Sequence, residues 1–146
     1  MAKSIIVLNG PNLNMLGTRE PGTYGSSTLG DIGNLCAEEG KNLGITVDFR
    51  QSNSEGELVT WIQQSRGNFD GIIINPAAYS HTSVAIYDAL LSTELPVIEV
   101  HLSNIHKREQ FRHHSYVSPA ATGIIVGLGP NGYKLALVAL SELLSQ

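Results

Sequence analysis

The sequence predicts an α/β protein in which helices cover both faces of a parallel sheet. Short apolar runs alternate five times with segments of helical periodicity along the 146 residues. Such alternation is typical of parallel strands that are buried on both sides. Five of these units in a chain of this length predict a flavodoxin-like, doubly wound five-stranded sheet, with ligands bound beyond the carboxyl ends of the strands.

The elements follow one another in order, and turn residues mark several of their ends. Gly10-Pro11 ends the first strand, Gly44 ends the first helix, and Pro76 ends the third strand. We predict strands at 4–9, 46–50, 71–75, 96–100 and 121–126. We predict helices at 29–43, 55–66, 82–91 and 131–144. The sequence has no repeat, linker or low-complexity tract, so we expect residues 1–146 to form a single domain.

Composition narrows the class of protein further. Apolar residues make up 42% of the chain and charged residues 15%, which supports a packed core rather than disorder. A net charge of -4 argues against a general nucleic-acid binder. The single cysteine, Cys36, falls on a buried helix face and allows no disulfide within the chain. The first apolar run is too short for a signal peptide or a membrane span, so we expect a cytoplasmic protein.

Two predicted helices are more apolar than a monomer requires. The last helix is apolar nearly all round, from Tyr133 to Leu140. The helix before it has apolar residues at Val84, Tyr87 and Leu91, on the face opposite its core-facing residues. A helix without a clear polar face usually has neighbours on more than one side. We therefore expect part of this surface to contact another subunit.

A long connection follows the first strand, at a position where such folds usually have a short one. Residues 10–25 carry Asn12, Asn14, Arg19 and Tyr24 between glycines. The segment could be a surface loop built from turn residues. Long loops at the carboxyl end of a strand are more often functional lids, and we favour that interpretation.

The connection after the third strand contains Asn75 and His81. Both residues fall at the carboxyl edge of the sheet, and His81 could serve either structure or function. Ser80 or Thr82 could simply cap the helix that follows.

The segment after the fourth strand holds four of the five histidines and three of the nine lysines and arginines. One interpretation is a solvated basic helix, which suits Lys107 and one of His113 and His114. His101 differs, because it directly follows the strand and Glu99 precedes it by two residues. We expect the backbone N–H groups of Leu102 and Ser103 to open a helix and to form a site for a carboxylate or phosphate.

Several other kinds of site can be excluded from the pattern. The histidines at 101, 106, 113 and 114 share no zinc-ligand spacing and have no cysteine or carboxylate cluster beside them. The glycine-rich segment 127–132 matches a dinucleotide fingerprint, but no strand or ribose-binding acid follows it. It is better explained as a tight turn into the last helix. Asn9 and Asn75 stand where a phosphoacceptor domain needs acids, and Gly10-Pro11-Asn12-Leu13 is not a flavin phosphate loop.

The segments that follow the first, third and fourth strands contain three motifs: Leu8-Asn9-Gly10-Pro11-Asn12-Leu13-Asn14 with Arg19-Glu20-Pro21 and Tyr24-Gly25; Asn75-Pro76-Ala77-Ala78 with His81-Thr82-Ser83; and Glu99-Val100-His101-Leu102-Ser103-Asn104 with Phe111-Arg112-His113-His114-Ser115. Through these motifs the chain resembles the type II dehydroquinases from about Ile6 to Tyr133. The resemblance implies a hydro-lyase of the shikimate pathway or of quinate breakdown. Such an enzyme converts 3-dehydroquinate to 3-dehydroshikimate by anti elimination through an enolate, without metal or cofactor.

The chemistry of that reaction suits the residues in these motifs. The proton lost lies alpha to a ketone and needs a strong base, but a free tyrosine, with a pKa near ~10, is too weakly ionised at neutral pH. A neighbouring arginine favours the phenolate, and Tyr24 with Arg19 is such a pair. The leaving hydroxide needs an acid, which His101 can supply when Glu99 holds it. Asn12 would organise hydrogen bonds around the enolate oxygen.

The resemblance also implies how substrate and subunits are arranged. The substrate carboxylate would bind the N–H groups of Leu102 and Ser103 with the Ser103 hydroxyl, while Asn75, His81 and Arg112 would bind the ring hydroxyls and the carboxylate side. Asp88 corresponds to the residue that reaches the site of a neighbouring subunit, in a dodecamer built from trimers.

The rival class is a non-catalytic flavodoxin-like module that binds an anion in the same basic pocket. Such a module would not need a Tyr and Arg pair on a loop opposite a His and Glu pair. An absorbance assay for the enone product separates the two classes.

Overall fold

A computed structural model describes residues 2–18 and 26–146 and confirms the predicted α/β class. Its five strands are β1 (Lys3–Asn9), β2 (Ile45–Gln51), β3 (Gly71–Asn75), β4 (Val97–His101) and β5 (Gly123–Val126). The helices of the described part are α1 (Leu29–Leu43), α2 (Glu55–Ser65), α3 (Val84–Thr93) and α4 (Asn131–Leu144). All strand pairs are parallel, and the strand order is β2-β1-β3-β4-β5.

Strand β1 shows why the sheet forms a two-sided core. Its residues from Ile5 to Leu8 are fully buried, and neighbouring side chains point to opposite faces of the sheet. Ile5 and Val7 pack in one cluster with side chains of α1 and α4. Ile6 and Leu8 pack in a second cluster with side chains of α2 and α3. Each helix pair therefore covers one face, as a doubly wound fold requires.

Local signals fix the ends of the first helix. Thr28 accepts a hydrogen bond from the Asp31 N–H at 3.1 Å, and the Asp31 carboxylate accepts one from the Thr28 N–H at 2.9 Å. This reciprocal capping box satisfies donors that would otherwise lack partners. Gly44 ends the helix in the left-handed conformation, at a φ of 70°, as predicted from the sequence.

The structure corrects two of the predicted helix starts. Neither Ser80 nor Thr82 caps α3, because the preceding residues form a separate 3-10 turn, and Ser83 accepts the capping hydrogen bond from the Ile86 N–H at 2.9 Å. Leu102 and Ser103 do not open a helix either. The chain instead makes a 3-10 turn at Ile105–Lys107, which is capped by the Asn104 side chain.

The segment after that turn is not a basic helix. The backbone becomes extended at Arg108 and stays non-helical at Glu109, so the turn at Gln110–Arg112 is separate from the first one. Lys107, His113 and His114 are exposed, as the solvated interpretation expected.

Gly10 allows the loops after β1 and β3 to approach each other closely. Its N–H donates to the Asn75 carbonyl at 2.9 Å. A Cβ at this position would lie 2.5 Å from the carbonyl oxygen of Pro76, which is closer than two such atoms can approach. Across residues 2–18 and 26–146, none of the helices has the length and apolar character needed to cross a membrane.

Candidate active site

A cavity of about 210 Å³ lies at the carboxyl edge of the sheet, between the connections that follow β1, β3 and β4. This is the place where doubly wound folds bind their ligands. Seven of the residues predicted to form the site line it: Asn12, Asn75, His81, His101, Leu102, Ser103 and Arg112. The other predicted residues have different positions. Glu99 lies behind His101, Asp88 is exposed on α3 away from the cavity lining, and Arg19 and Tyr24 lie outside the described residues.

His101 and Glu99 form a buried hydrogen-bonded pair at the end of β4. The two residues face the same side of the strand, because side chains two positions apart share a face. The His101 Nε2–H donates to the Glu99 carboxylate, and the two residues are 5% and 0% exposed. Since Nε2 is committed to Glu99, Nδ1 is the ring nitrogen of His101 that remains for a ligand in the cavity.

Two serine hydroxyls complete the surroundings of Glu99. Ser115 donates to its Oε2 atom at 2.8 Å, and Ser118 donates to its Oε1 atom at 2.6 Å. Burial raises the pKa of Glu99, but the hydrogen bonds from His101, Ser118 and Ser115 outweigh this, so the pKa lies below its ordinary value. Glu99 is therefore a carboxylate at neutral pH, and this carboxylate accepts the hydrogen bond from the His101 ring.

His81 has a fixed orientation on the other side of the cavity. Its Nδ1–H donates to the carbonyl oxygen of His114 at 2.8 Å, which leaves Nε2 as an acceptor. Burial lowers the pKa of His81 further than the His114 hydrogen bond raises it. A neutral His81 can therefore accept a hydrogen bond from a ligand hydroxyl.

A second buried network, which contains no charge, lies at the ends of β1 and β3. The Tyr133 hydroxyl donates to Asn9 Oδ1 at 2.7 Å and accepts from Asn75 Nδ2 at 2.9 Å. Asn9 Nδ2 donates in turn to the Arg50 carbonyl, and Asn75 Oδ1 accepts from the Ala77 N–H. Burial raises the pKa of Tyr133, so its hydroxyl stays protonated. The amide of Asn75 keeps one N–H that is not used in these bonds.

The cavity wall beyond β4 is suited to an anion. Within the described residues, no group accepts a hydrogen bond from the N–H of Leu102 or Ser103. Arg112 lies beside them and is held by Glu109. Arg108 also lines the cavity, although it was not among the residues predicted to form the site. The guanidinium of Arg112 and the N–H groups of Leu102 and Ser103 can bind a carboxylate.

Asn12 reaches the cavity through an unusual backbone conformation. Its φ is 69°, in the left-handed region that asparagine tolerates better than most residues. Its N–H donates to Asn53 Oδ1 at 3.0 Å, and this oxygen also accepts from Gln51 Nε2 at 3.1 Å. Residues that follow β2 thus hold the start of the long loop. Asn53 was missed in the sequence because its partner is 41 positions away.

The sequence analysis predicted no metal site, and the positions of possible metal ligands bear on that prediction. In residues 2–18 and 26–146, no three histidine, cysteine or acidic side chains are grouped as a metal site would need.

The glycine-rich segment forms a turn at residues 127–130 that leads into α4, as predicted. Gly127 and Gly129 have φ angles of 86° and 62°.

Comparisons with known proteins agree on one family. The family model for dehydroquinase class II matches residues 3–141. The chain is 61% identical over 142 residues to 3-dehydroquinate dehydratase 2 of Pseudomonas aeruginosa, covering 97% of this chain and 96% of the relative. It is 58% identical to 3-dehydroquinate dehydratase 1 of Agrobacterium fabrum, covering 98% and 99%. The crystal structure of type II dehydroquinase from Propionibacterium acnes superposes with a TM-score of 0.94 at 51% identity, covering 97% of this chain and 98% of that one.

Proposed function

Because the chain belongs to the class II dehydroquinase family, we propose how its residues carry out the dehydration of 3-dehydroquinate. This activity is that of a hydro-lyase of the shikimate pathway, and a non-catalytic binding module is not favoured. The observation that carries the mechanism is the buried Glu99–His101 pair. His101 lines the cavity, and its Nδ1 atom is not used in the bond to Glu99.

The reaction begins with removal of the proton alpha to the ketone. Tyr24, as a phenolate, takes this proton, and the electron pair of the broken C–H bond moves to the carbonyl oxygen to give an enolate. Arg19 favours the phenolate through its positive charge. Asn12 organises hydrogen bonds to the enolate oxygen, where negative charge develops.

The second step expels water on the opposite face of the ring. The enolate electron pair forms the new C=C bond as the C–O bond to the leaving hydroxyl breaks, and His101 gives its Nδ1 proton to that oxygen. The Glu99 carboxylate supports this role because it accepts a hydrogen bond from Nε2–H and so leaves Nδ1 for the leaving oxygen. Hydroxide is a poor leaving group, so protonation at this oxygen removes most of the difficulty of the step.

Recognition of the substrate uses the remaining residues of the cavity. The carboxylate binds the Leu102 and Ser103 N–H groups with the Ser103 hydroxyl, and Arg112 adds a positive charge beside it. Asn75 and His81 bind ring hydroxyls, His81 as an acceptor through Nε2.

We also propose that the enzyme works in the cytoplasm as a dodecamer built from trimers, with residues 1–146 as a single catalytic domain. Val84 and Leu91 on α3 are 50% and 49% exposed, a large apolar exposure for one helix. Asp88 lies on the same helix and would reach the cavity of a neighbouring subunit. Symmetric closure is the usual way in which such surfaces are buried. Light scattering at low micromolar concentration tests the assembly, and a fully active monomer would contradict it.

Substitution of Tyr24 tests the assignment of the base. Tyr24→Phe keeps the ring but removes the oxygen, so turnover in the enone absorbance assay should be abolished. Affinity for a substrate-like inhibitor should change little, because the base acts chiefly in the transition state. If the variant kept more than about a few per cent of the parent activity, Tyr24 would not be the base, and another residue would have to remove the proton. Arg19→Ala should then leave the rate unaffected as well.

We propose that catalysis uses neither metal nor an imine. None of the four lysines, at 3, 41, 107 and 134, lines the cavity, so no lysine amine is placed to form a Schiff base with the ketone. Treatment with borohydride in the presence of substrate, and separately with EDTA, should leave activity intact. Inactivation by either reagent would contradict this mechanism.

A further inference from the structure

The two serines around Glu99 come from a part of the chain that joins both sides of the cavity. Ser115 and Ser118 contact the two carboxylate oxygens. In the same segment, the His114 carbonyl accepts from His81, and the Tyr116 N–H donates to the Ser80 carbonyl at 2.7 Å. This segment, residues 114–118, therefore touches the support of His101 and also the connection that carries His81.

The arrangement leaves the carboxylate of Glu99 little freedom to turn. Oε1 accepts from Ser118, and Oε2 accepts from both Ser115 and His101. The carboxylate is fully buried, so water does not replace a missing donor without rearrangement. With its plane fixed by the serines, the carboxylate offers Oε2 to the imidazole in one direction only.

We propose that Ser115 and Ser118 are positioning residues for the elimination step, which act through Glu99 to hold His101 with Nδ1 directed to the leaving hydroxyl. This inference rests on the proposed role of His101 as the acid. Neither serine lines the cavity, so neither would touch the substrate. An acid held in one orientation avoids the entropy cost of ordering it in the transition state.

Ser118 is the better of the two residues for a test. Its hydroxyl donates to Glu99, whereas the Ser115 hydroxyl also accepts from the N–H groups of Val117 and Ser118 at 3.2 and 3.3 Å. Ser118→Ala therefore removes a bond to the carboxylate without removing a bond of the turn. Ser118→Thr keeps a hydroxyl and should restore the function.

The matched control is Ser65→Ala in α2. Ser65 is fully buried and does not line the cavity, and its hydroxyl donates to the Trp61 carbonyl at 2.8 Å. This variant also loses one buried serine hydrogen bond, but no carboxylate depends on it. It should lose stability without a change in kcat.

The experiment separates proton removal from loss of water. Substrate is incubated with enzyme in D₂O, and deuterium in recovered 3-dehydroquinate is compared with product formed. If the acid step alone is slowed, the enolate returns more often to substrate. Ser118→Ala should then lower kcat by on the order of ten-fold, with KM little changed, as expected for a hydrogen bond to a charged group. The exchange-to-product ratio should rise by a similar factor, and Ser118→Thr should reverse both effects.

The outcomes distinguish failure of this inference from failure of the mechanism. His101→Ala, measured in parallel, should raise the same ratio more strongly. If it does and Ser118→Ala does not, the serines are structural and the inference is overturned, while the acid assignment stands. An unchanged ratio in His101→Ala overturns the acid assignment itself. Should Ser118→Ala fail to fold, Ser115→Ala provides the same readout, and a fall in kcat without a rise in the ratio would again overturn the inference.

Discussion

Two buried polar networks lie side by side at the carboxyl edge of the sheet, and they differ in charge and in how they end. The neutral network joins Tyr133 to Asn9 and Asn75, and both of its amides are bonded to backbone groups as well. The charged network joins Glu99 to His101 and to two serines. It ends at Nδ1 of His101, which forms no hydrogen bond with another residue of the network.

The comparison shows that burial and complete hydrogen bonding do not by themselves indicate catalysis. In the neutral network the hydroxyl and both amides have protein partners, and a single N–H of Asn75 remains for a ligand, so the network mainly ties β1 and β3 to α4. In the charged network a titratable group has a protein partner on one side only. We therefore expect damage to the first network to reduce stability and damage to the second to reduce turnover.

The largest effect should come from His101→Ala, which removes the open end of the charged network. General acid catalysis contributes roughly 10²–10⁴-fold to rates, so kcat should fall by that order. Affinity for a substrate-like inhibitor should fall much less, and stopped assays with high enzyme concentration can measure the residual rate. A fall of less than about ten-fold, far below that range, would mean that another group protonates the leaving oxygen.

Tyr133→Phe should show the opposite pattern. The substitution keeps the buried ring but leaves Asn9 Oδ1 without its donor and Asn75 Nδ2 without its acceptor. Each unsatisfied group costs about 1–3 kcal/mol, so the free energy of unfolding should fall by at least that amount. Urea denaturation measures this, and kcat at a temperature where the variant is folded should stay close to the parent value. A large loss of kcat in folded protein would remove the distinction between the two networks.

Glu99→Gln makes the charged network neutral and should have an intermediate effect on rate. The amide can still accept a hydrogen bond from His101, but the substitution removes the negative charge that lies against the ring. Hydrogen bonds to charged groups contribute about 1.5–3 kcal/mol, so loss of the charge should lower kcat on the order of ten- to a hundred-fold. Initial rates at saturating substrate measure this loss. An unchanged kcat would show that the charge of Glu99 is not what matters.

The fold and the location of the site could be predicted because both depend on patterns between residues that are close together in the sequence. Apolar runs such as Ile5–Leu8 identify strands, and residues at the carboxyl end of a strand, such as Asn75 and His101, must lie at that edge of the sheet. The supports of the site depend on contacts between distant residues. Tyr133 bonds to Asn9 across 124 positions, which leaves no local pattern to detect.

The prediction of a helix after β4 failed for a related reason. We predicted a helix that starts at Leu102 because the free N–H groups at a helix start can bind an anion. The structure instead uses the Asn104 side chain to start a short turn further on and buries Ile105 to 7% exposure. Packing of one apolar residue and one local cap thus decided the backbone, as tertiary contacts often do over propensity.

The two networks should also make stability depend on pH in opposite directions. The pKa of Glu99 is lower in the folded protein than its ordinary value of 4.5. Its contribution to stability is therefore complete above that value and is lost as pH falls through the folded pKa. The pKa of Tyr133 is instead raised above its ordinary value of 10.0. Its contribution is complete below that value and is lost as pH rises towards the folded pKa.

Measuring urea midpoints from acid to alkaline pH tests these two signs with one pair of variants. Glu99→Gln should flatten the acid side of the profile and leave the alkaline side unchanged, because glutamine does not titrate. Tyr133→Phe should flatten the alkaline side only, at a lower stability throughout. The effects should be the smallest of those predicted, since other carboxylates and tyrosines titrate in the same ranges. If both variants flattened the same side of the pH profile, the two networks would be coupled through the edge of the sheet and would not contribute to stability independently.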